Sequence, residues 1–98
     1  MTEILTMPAM INGGTNEIIL NKNHALVNNL IVAKGRSTGV LSFRTKTLNS
    51  DYQTPGAPYS IDLAVNKSIS FNGEPLEAIE VTDGGSGAVM LNITQSER

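Results

Sequence analysis

The amino-acid sequence predicts an all-β fold: a single small antiparallel β-sandwich or jelly-roll-like domain of about 7–8 strands. Three observations carry this prediction. In the last third of the chain, Ile61 to Val65, Ser68 to Phe71, Ile79 to Val81 and Val89 to Thr94 place apolar side chains at every second position, the period of a strand with one buried face. Turn-forming residues separate these runs: Asn66-Lys67, Asn72-Gly73 and Asp83-Gly84-Gly85-Ser86-Gly87. No segment keeps a helical apolar period long enough to form a stable helix of its own.

The elements follow in order. Residues 3–7 and 17–21 are short apolar runs on either side of Asn12-Gly13-Gly14-Thr15-Asn16 and read as two edge-type strands. Alternatively the segment 1–14, interrupted by Pro8 and two glycines, is an extended N-terminal arm that pairs with the sheet edge of a neighbouring subunit. Between Ala25 and Ala33 the apolar residues split, with Leu26, Leu30 and Val32 on one parity and Val27 and Ile31 on the other; a bulge near Asn28 reconciles them. Val40 to Thr47 places Leu41 and Phe43 inward and Ser42, Arg44 and Lys46 outward, and is the expected hairpin partner of the strand before it. Residues 48–59 contain Pro55, Gly56 and Pro58, show no period and form the longest loop. The strands after it have Ile61, Leu63, Val65, Ile69, Phe71, Ile79, Val81, Val89, Leu91 and Ile93 as their inward set. Glu74 to Glu80 has the Pro75 and acid spacing of a helical turn, but Val81-Thr82 continues it as β, which favours a strand over 76–82 with a bulge near Glu77.

At 98 residues the chain makes one domain, 1–98. Its only aromatics are Phe43, Tyr52, Tyr59 and Phe71, so the core is aliphatic and thin. A core of this kind yields a net stability of about 5 kcal/mol, a regime in which oligomerisation is a common source of further buried area. The absence of cysteine removes disulfides and thiolate metal sites. A formal net charge of -2 arises from interspersed signs. Lys34, Arg36, Arg44 and Lys46 come nearest to a basic patch and read as solvated surface, so no nucleic acid is expected as a partner. Met1 to Pro8 lacks a basic start and a long apolar run, and no stretch is long enough to span a bilayer. The expectation is a chain made and folded in the cytoplasm, without a membrane partner.

Chemistry-bearing constellations are missing. His24, the only histidine, sits in the polar turn Asn21-Lys22-Asn23-His24 with no Cys, Asp or Glu at ligand spacing. The run Asp83 to Gly87 lacks the Lys and the helix of a phosphate-binding loop and reads as a hairpin loop. Glu74, Glu77, Glu80 and Asp83 lie three residues apart rather than at calcium-loop spacing, and read as a solvated edge. Asn66-Lys67-Ser68 and Asn92-Ile93-Thr94 match the glycosylation triplet but mean nothing without a secretory signal. No catalytic residue, metal site or cofactor is expected. The remaining candidate is an interaction loop made by Tyr52, Pro55, Pro58 and Tyr59, where tyrosines on a proline-stiffened loop offer contact area at low entropic cost; the simpler role for Tyr59 is to lid the open end of the sandwich.

Across residues 38–95, the segments Gly39 to Arg44, Ile61 to Ala64, Ser70 to Gly73, Pro75 to Ile79 and Leu91 to Gln95 together resemble the small β-sandwich structural proteins of tailed-bacteriophage virions. In that group an Asp-Gly-Pro turn commonly introduces the strand placed here at 76–82. This chain has Asn72-Gly73 with Glu74 inserted before Pro75. The resemblance implies a non-enzymatic virion component present in many copies: a decoration or cement protein on the capsid, or a part of the tail or neck. It implies a homo-oligomer, such as a trimer, that binds the major capsid protein or another virion protein. A free-standing module recognising carbohydrate or a host surface is the first rival reading, disfavoured by the low aromatic content; a hydrolytic enzyme built around His24 is the second, disfavoured by the lack of a second histidine to complete a nucleophile, base and orienter set.

Overall fold

A computed structural model describes residues 4–52, 59–85 and 87–97. Its eight strands are β1 (Ile4–Ile11), β2 (Gly14–Ile19), β3 (Asn28–Lys34), β4 (Val40–Thr47), β5 (Tyr59–Asp62), β6 (Ser68–Asn72), β7 (Leu76–Asp83) and β8 (Val89–Ser96). Two four-stranded sheets have the orders β1-β8-β3-β6 and β2-β7-β4-β5, with every pairing antiparallel. That order is the eight-stranded jelly roll, so the all-β, two-sheet expectation holds.

The sheets close on a single aliphatic core. Leu41, Phe43, Ile79, Val81, Val89, Leu91 and Ile93 are fully buried at its centre. Phe43 and Phe71 meet edge to face across the two layers, with ring centroids 6.2 Å apart. Of the predicted inward set, Ile61, Leu63, Ile79, Val81, Val89, Leu91 and Ile93 are buried and Ile69 and Phe71 are half-buried against the core. Val65 is the exception at 86% exposed. Strand β5 ends at Asp62, whose carbonyl accepts from the N–H groups of Val65 and Asn66 and whose carboxylate accepts from Ala64; the chain turns there and the alternation stops.

Connectivity departs from the expected hairpins. Strands β3 and β4 lie in different sheets, so residues 35–39 cross the barrel end rather than joining hairpin partners. The same holds for Asp83 to Gly87, which carries the chain from β7 to β8. Both corrections have one cause: the core lies between the sheets, and successive amphipathic strands bury their apolar files by alternating sides of it. Only β4 and β5 are neighbours both in sequence and in a sheet. No bulge occurs at Asn28; β3 pairs in regular register with β6 and β8, placing Asn29, Ile31 and Ala33 inward and Leu30 and Val32 outward. The bulge near Glu77 does occur. Lys46 pairs with Ala78 and Thr47 with Leu76, which leaves Glu77 as the extra residue; Leu76 and Ile79 both point into the core, while Glu77 and Ala78 lie on the outer side with Lys46 and Ile19.

The first two strands are edge strands, as expected. Within the segment 1–14, residues 4–11 pair along their whole length with β8 of the same chain rather than reaching out as an arm. Pro8 is tolerated inside β1 because an edge strand has one side with no ladder to donate to.

The direction of the strands sorts the connections into two ends. Residues 12–13, 35–39, 63–67, 84–85 and 87–88 lie at one end; 20–27, 48–52 and 73–75 lie at the other.

Candidate interaction surfaces

The loop tyrosines are not brought together. Tyr52 forms an isolated bridge to Lys46 and lies over the outer face of the β2-β7-β4-β5 sheet, its hydroxyl donating to Glu17 Oε2 at 2.6 Å. The Arg44 guanidinium stands 5.4 Å and the Lys46 ammonium 5.9 Å from the centre of its ring. Burial, and then the bond to Glu17, keep this phenol protonated far above the ordinary tyrosine range. Tyr59 belongs to β5 rather than the loop, and packs edge-on to Phe71 at 5.0 Å between ring centres. It flanks a groove of about 410 Å³ whose described lining includes Phe71, Asn72, Glu74 and Leu76. Pro55 and Pro58 lie outside the described residues.

The basic residues read as solvated surface are interspersed with acids. Arg44 pairs with Glu80 at 3.0 Å, while Lys46 and Lys22 both reach Glu77, at 3.4 and 3.1 Å. The hydrogen bond from Lys22, with help from Lys46, holds the Glu77 carboxyl below its usual range. These groups share one outer face with Glu17, Glu80 and Asp62, a lattice of exposed or half-exposed charges that is individually weak and strongly hydrated.

Arg36 has a different role. Its side chain is 10% exposed and that of Asp83 is 0% exposed. Two guanidinium nitrogens donate to the two Asp83 oxygens at 2.5 and 3.0 Å, Nε donates to the Thr38 carbonyl at 2.8 Å, and Nη1 to the Gly87 carbonyl at 2.9 Å. Asp83 also accepts from the N–H groups of Gly85 and Gly13, at 2.9 and 3.1 Å. Three of the four connections at that end are thereby tied to one buried fork-to-fork pair. Glycine is required around it: a Cβ on Gly39, whose φ is 108°, or on Gly85 would stand 2.9 Å from Arg36 Nη2. The Arg36 hydrogen bond, with those of Gly85 and Gly13, outweighs burial and lowers the Asp83 carboxyl from 3.8 to about 2. Asp83 is therefore not part of a solvated edge.

The opposite end closes without charge. Gln95 Nε2 donates to Asn29 Oδ1 at 3.0 Å, Gln95 Oε1 accepts from the backbone and side chain of Asn21, and Asn29 Nδ2 donates to the Phe71 and Glu74 carbonyls. Asn29 and Gln95 are each 1% exposed. Sequence reasoning missed both closures, although the signal was present. Asp83 continues the inward parity of Ile79 and Val81, and Gln95 that of Val89, Leu91 and Ile93; a polar side chain at an inward position requires a partner.

His24 is exposed in the connection between β2 and β3. Among the described residues no group of three or more His, Cys, Asp or Glu side chains is placed to hold a metal ion, and no helix is long and apolar enough to cross a membrane.

The outer face of the β1-β8-β3-β6 sheet contrasts with the charged one. Its rows read Ile4-Ser96-Asn28-Asn72, Thr6-Thr94-Leu30-Ser70, Pro8-Asn92-Val32-Ser68 and Met10-Met90-Lys34. Lys34, at a corner, is the one ionisable side chain among these positions.

No protein-family model and no curated protein matches the chain. Its backbone is similar to solved structures. The SPBc2 prophage-derived protein YomS superposes with a TM-score of 0.68 at 12% identity, over 99% of this chain and 96% of that one. AlgX of Pseudomonas aeruginosa gives 0.64 at 12% identity, over 95% of this chain but only 26% of the larger one. A Bacillus endospore appendage protein, from a family of disulfide-linked pili, gives 0.52 at 11% identity, over 98% and 87%. At these identities the likeness establishes a shared jelly-roll fold, one of whose carriers is prophage-derived.

Proposed function

We propose that this chain is a non-enzymatic structural protein of a tailed-phage virion: a self-associating capsid decoration or cement protein that binds the assembled lattice through protein contacts. The observation that carries this reading is the near end-to-end likeness to a prophage-derived chain, in which a jelly roll of this kind is almost the whole molecule rather than one module among several. The pilus-forming neighbour supports a role in assembly. Because this chain has no cysteine, its own assembly is not disulfide-linked and relies on many weak contacts acting together on a repeated surface. The large neutral sheet face is a suitable surface for such contacts.

The test is reconstitution on phage particles that lack the protein. Purified chain should co-sediment with empty heads and saturate at a fixed ratio to the capsid subunits. Saturation on isolated tails or necks instead would move the role to those parts. No binding to either would refute a virion role.

The groove beside Tyr59 favours a second reading, a carbohydrate-recognition module, because an exposed aromatic ring stands there with Asn72 and Glu74 as hydrogen-bonding groups. Glycan-array binding that disappears in Tyr59→Ala would establish it; a blank array would remove it.

A further inference from the structure

We infer that the outer face of the β1-β8-β3-β6 sheet is covered by the same face of a second copy of this chain, about a twofold axis passing near Leu30 and Thr94. This deepens the self-association part of the virion reading and rests on it.

Charge is the first argument. The ionisable groups on the sheets' outer surfaces are segregated, with Glu17, Arg44, Lys46, Asp62, Glu77 and Glu80 on one face and Lys34 alone on the other. Stacking the charged face on a copy of itself would desolvate those groups. Stacking the neutral face does not. A twofold axis through its centre sends the two Lys34 side chains to opposite corners, where both stay hydrated.

Side-chain chemistry is the second. The polar residues here are Ser, Thr and Asn, each both donor and acceptor, so a patch meeting its own copy can satisfy itself, as an isologous interface requires. Between them lie Leu30, 42% exposed at mid-face, the half-buried Val32, and Met10 and Met90 at one end. Methionine adapts its shape to whatever covers it.

The edges supply the third. Side-by-side pairing through β1 would need an unbroken row of donors, and Pro8 interrupts it; β6, at the other margin, has only five residues. Association through this sheet is therefore face to face. Three strands of seven or eight residues and one of five, about 4.8 Å apart, give a face of about 450 Å². A stacked pair buries about 900 Å² in total, in the range of weak, transient contacts. The interface is consequently reversible and concentration-dependent.

Sedimentation of the purified chain from about 1 µM to about 1 mM should show a reversible shift from one to two chain masses, with a dissociation constant in the micromolar range. Leu30→Lys and Thr94→Lys should each weaken the dimer by at least tenfold. Thr82→Lys, an exposed position on the charged sheet, should leave it unchanged. A fold-independent measurement accompanies these: in the unmodified protein, amide resonances that move with concentration should cluster on β1, β8, β3 and β6. A monomer throughout that range, an association indifferent to Leu30→Lys and Thr94→Lys, or shifts confined to the other sheet would each overturn the inference. Reconstitution on particles reports separately on the virion role, so the two can fail independently.

Discussion

The two ends of this jelly roll meet the same problem, a row of crossing connections over an apolar core, with opposite chemistry. At one end Asp83 and Arg36 form a buried ion pair that gathers four backbone contacts. At the other, Asn29, Gln95 and Asn21 form an uncharged amide chain. Among the described residues, no buried side-chain nitrogen or oxygen is left without a partner at either end. The difference teaches where the fold is sensitive. An ion pair fixes several loops at once, but its parts are worth little singly and much together, whereas an amide network is cheaper to damage and indifferent to acid.

The largest test of that contrast is Asp83→Ala. It strands the Arg36 guanidinium in a nearly closed site and releases Gly13 and Gly85, so the melting temperature should fall by about 10 °C or more. Calorimetry measures this, and a fall of a degree or two would mean the pair is replaceable by water. Next is acid. A carboxyl held at about 2 in the folded chain and near 3.8 when unfolded stabilises the fold fully above the higher value, and that contribution is lost as pH falls through the lower one. Melting temperature should decline steeply from pH 3.8 toward about 2, and Asp83→Asn should remove this part of the decline. A smaller loss, about 1–3 kcal/mol, is expected for Asn29→Ala, which leaves the buried Gln95 amide without its acceptor. Denaturant unfolding should show that loss unchanged across the same acid range. Smallest is Tyr52→Phe. Its bond to Glu17 is at the surface, so stability should change by no more than about 0.5 kcal/mol, with the circular dichroism spectrum unaltered.

What was legible in the sequence was local, and what was not was relational. Alternation located most of the strands and most inward residues, because a two-residue period is written along the chain itself. The Glu77 bulge was legible for the same reason, since the inward apolar parity changes phase between Leu76 and Ile79. Pairing was not: Gly35 to Gly39 and Gly84 to Gly87 look like hairpin turns, and nothing nearby states that their flanking strands belong to different sheets. Arg36 and Asp83 are 47 residues apart, so their pairing required the topology first. Tyr52 and Tyr59 shared a loop on paper, yet one covers a charged sheet and the other packs on Phe71. The contrast between the outer faces was equally hidden, because each row of the neutral face collects residues from strands far apart in sequence.

The alternation of consecutive strands between sheets also governs how the chain must acquire its structure. Since only β4 and β5 are neighbours in both senses, nearly every ladder joins distant segments, and the entropy of closing large loops is spent before much interaction energy returns. Folding should therefore take milliseconds to seconds rather than microseconds. The sheet β2-β7-β4-β5 can be completed only once β7 has been made, and β1-β8-β3-β6 only once β8 enters between β1 and β3, so a chain still emerging from the ribosome cannot close its core until β8 is free.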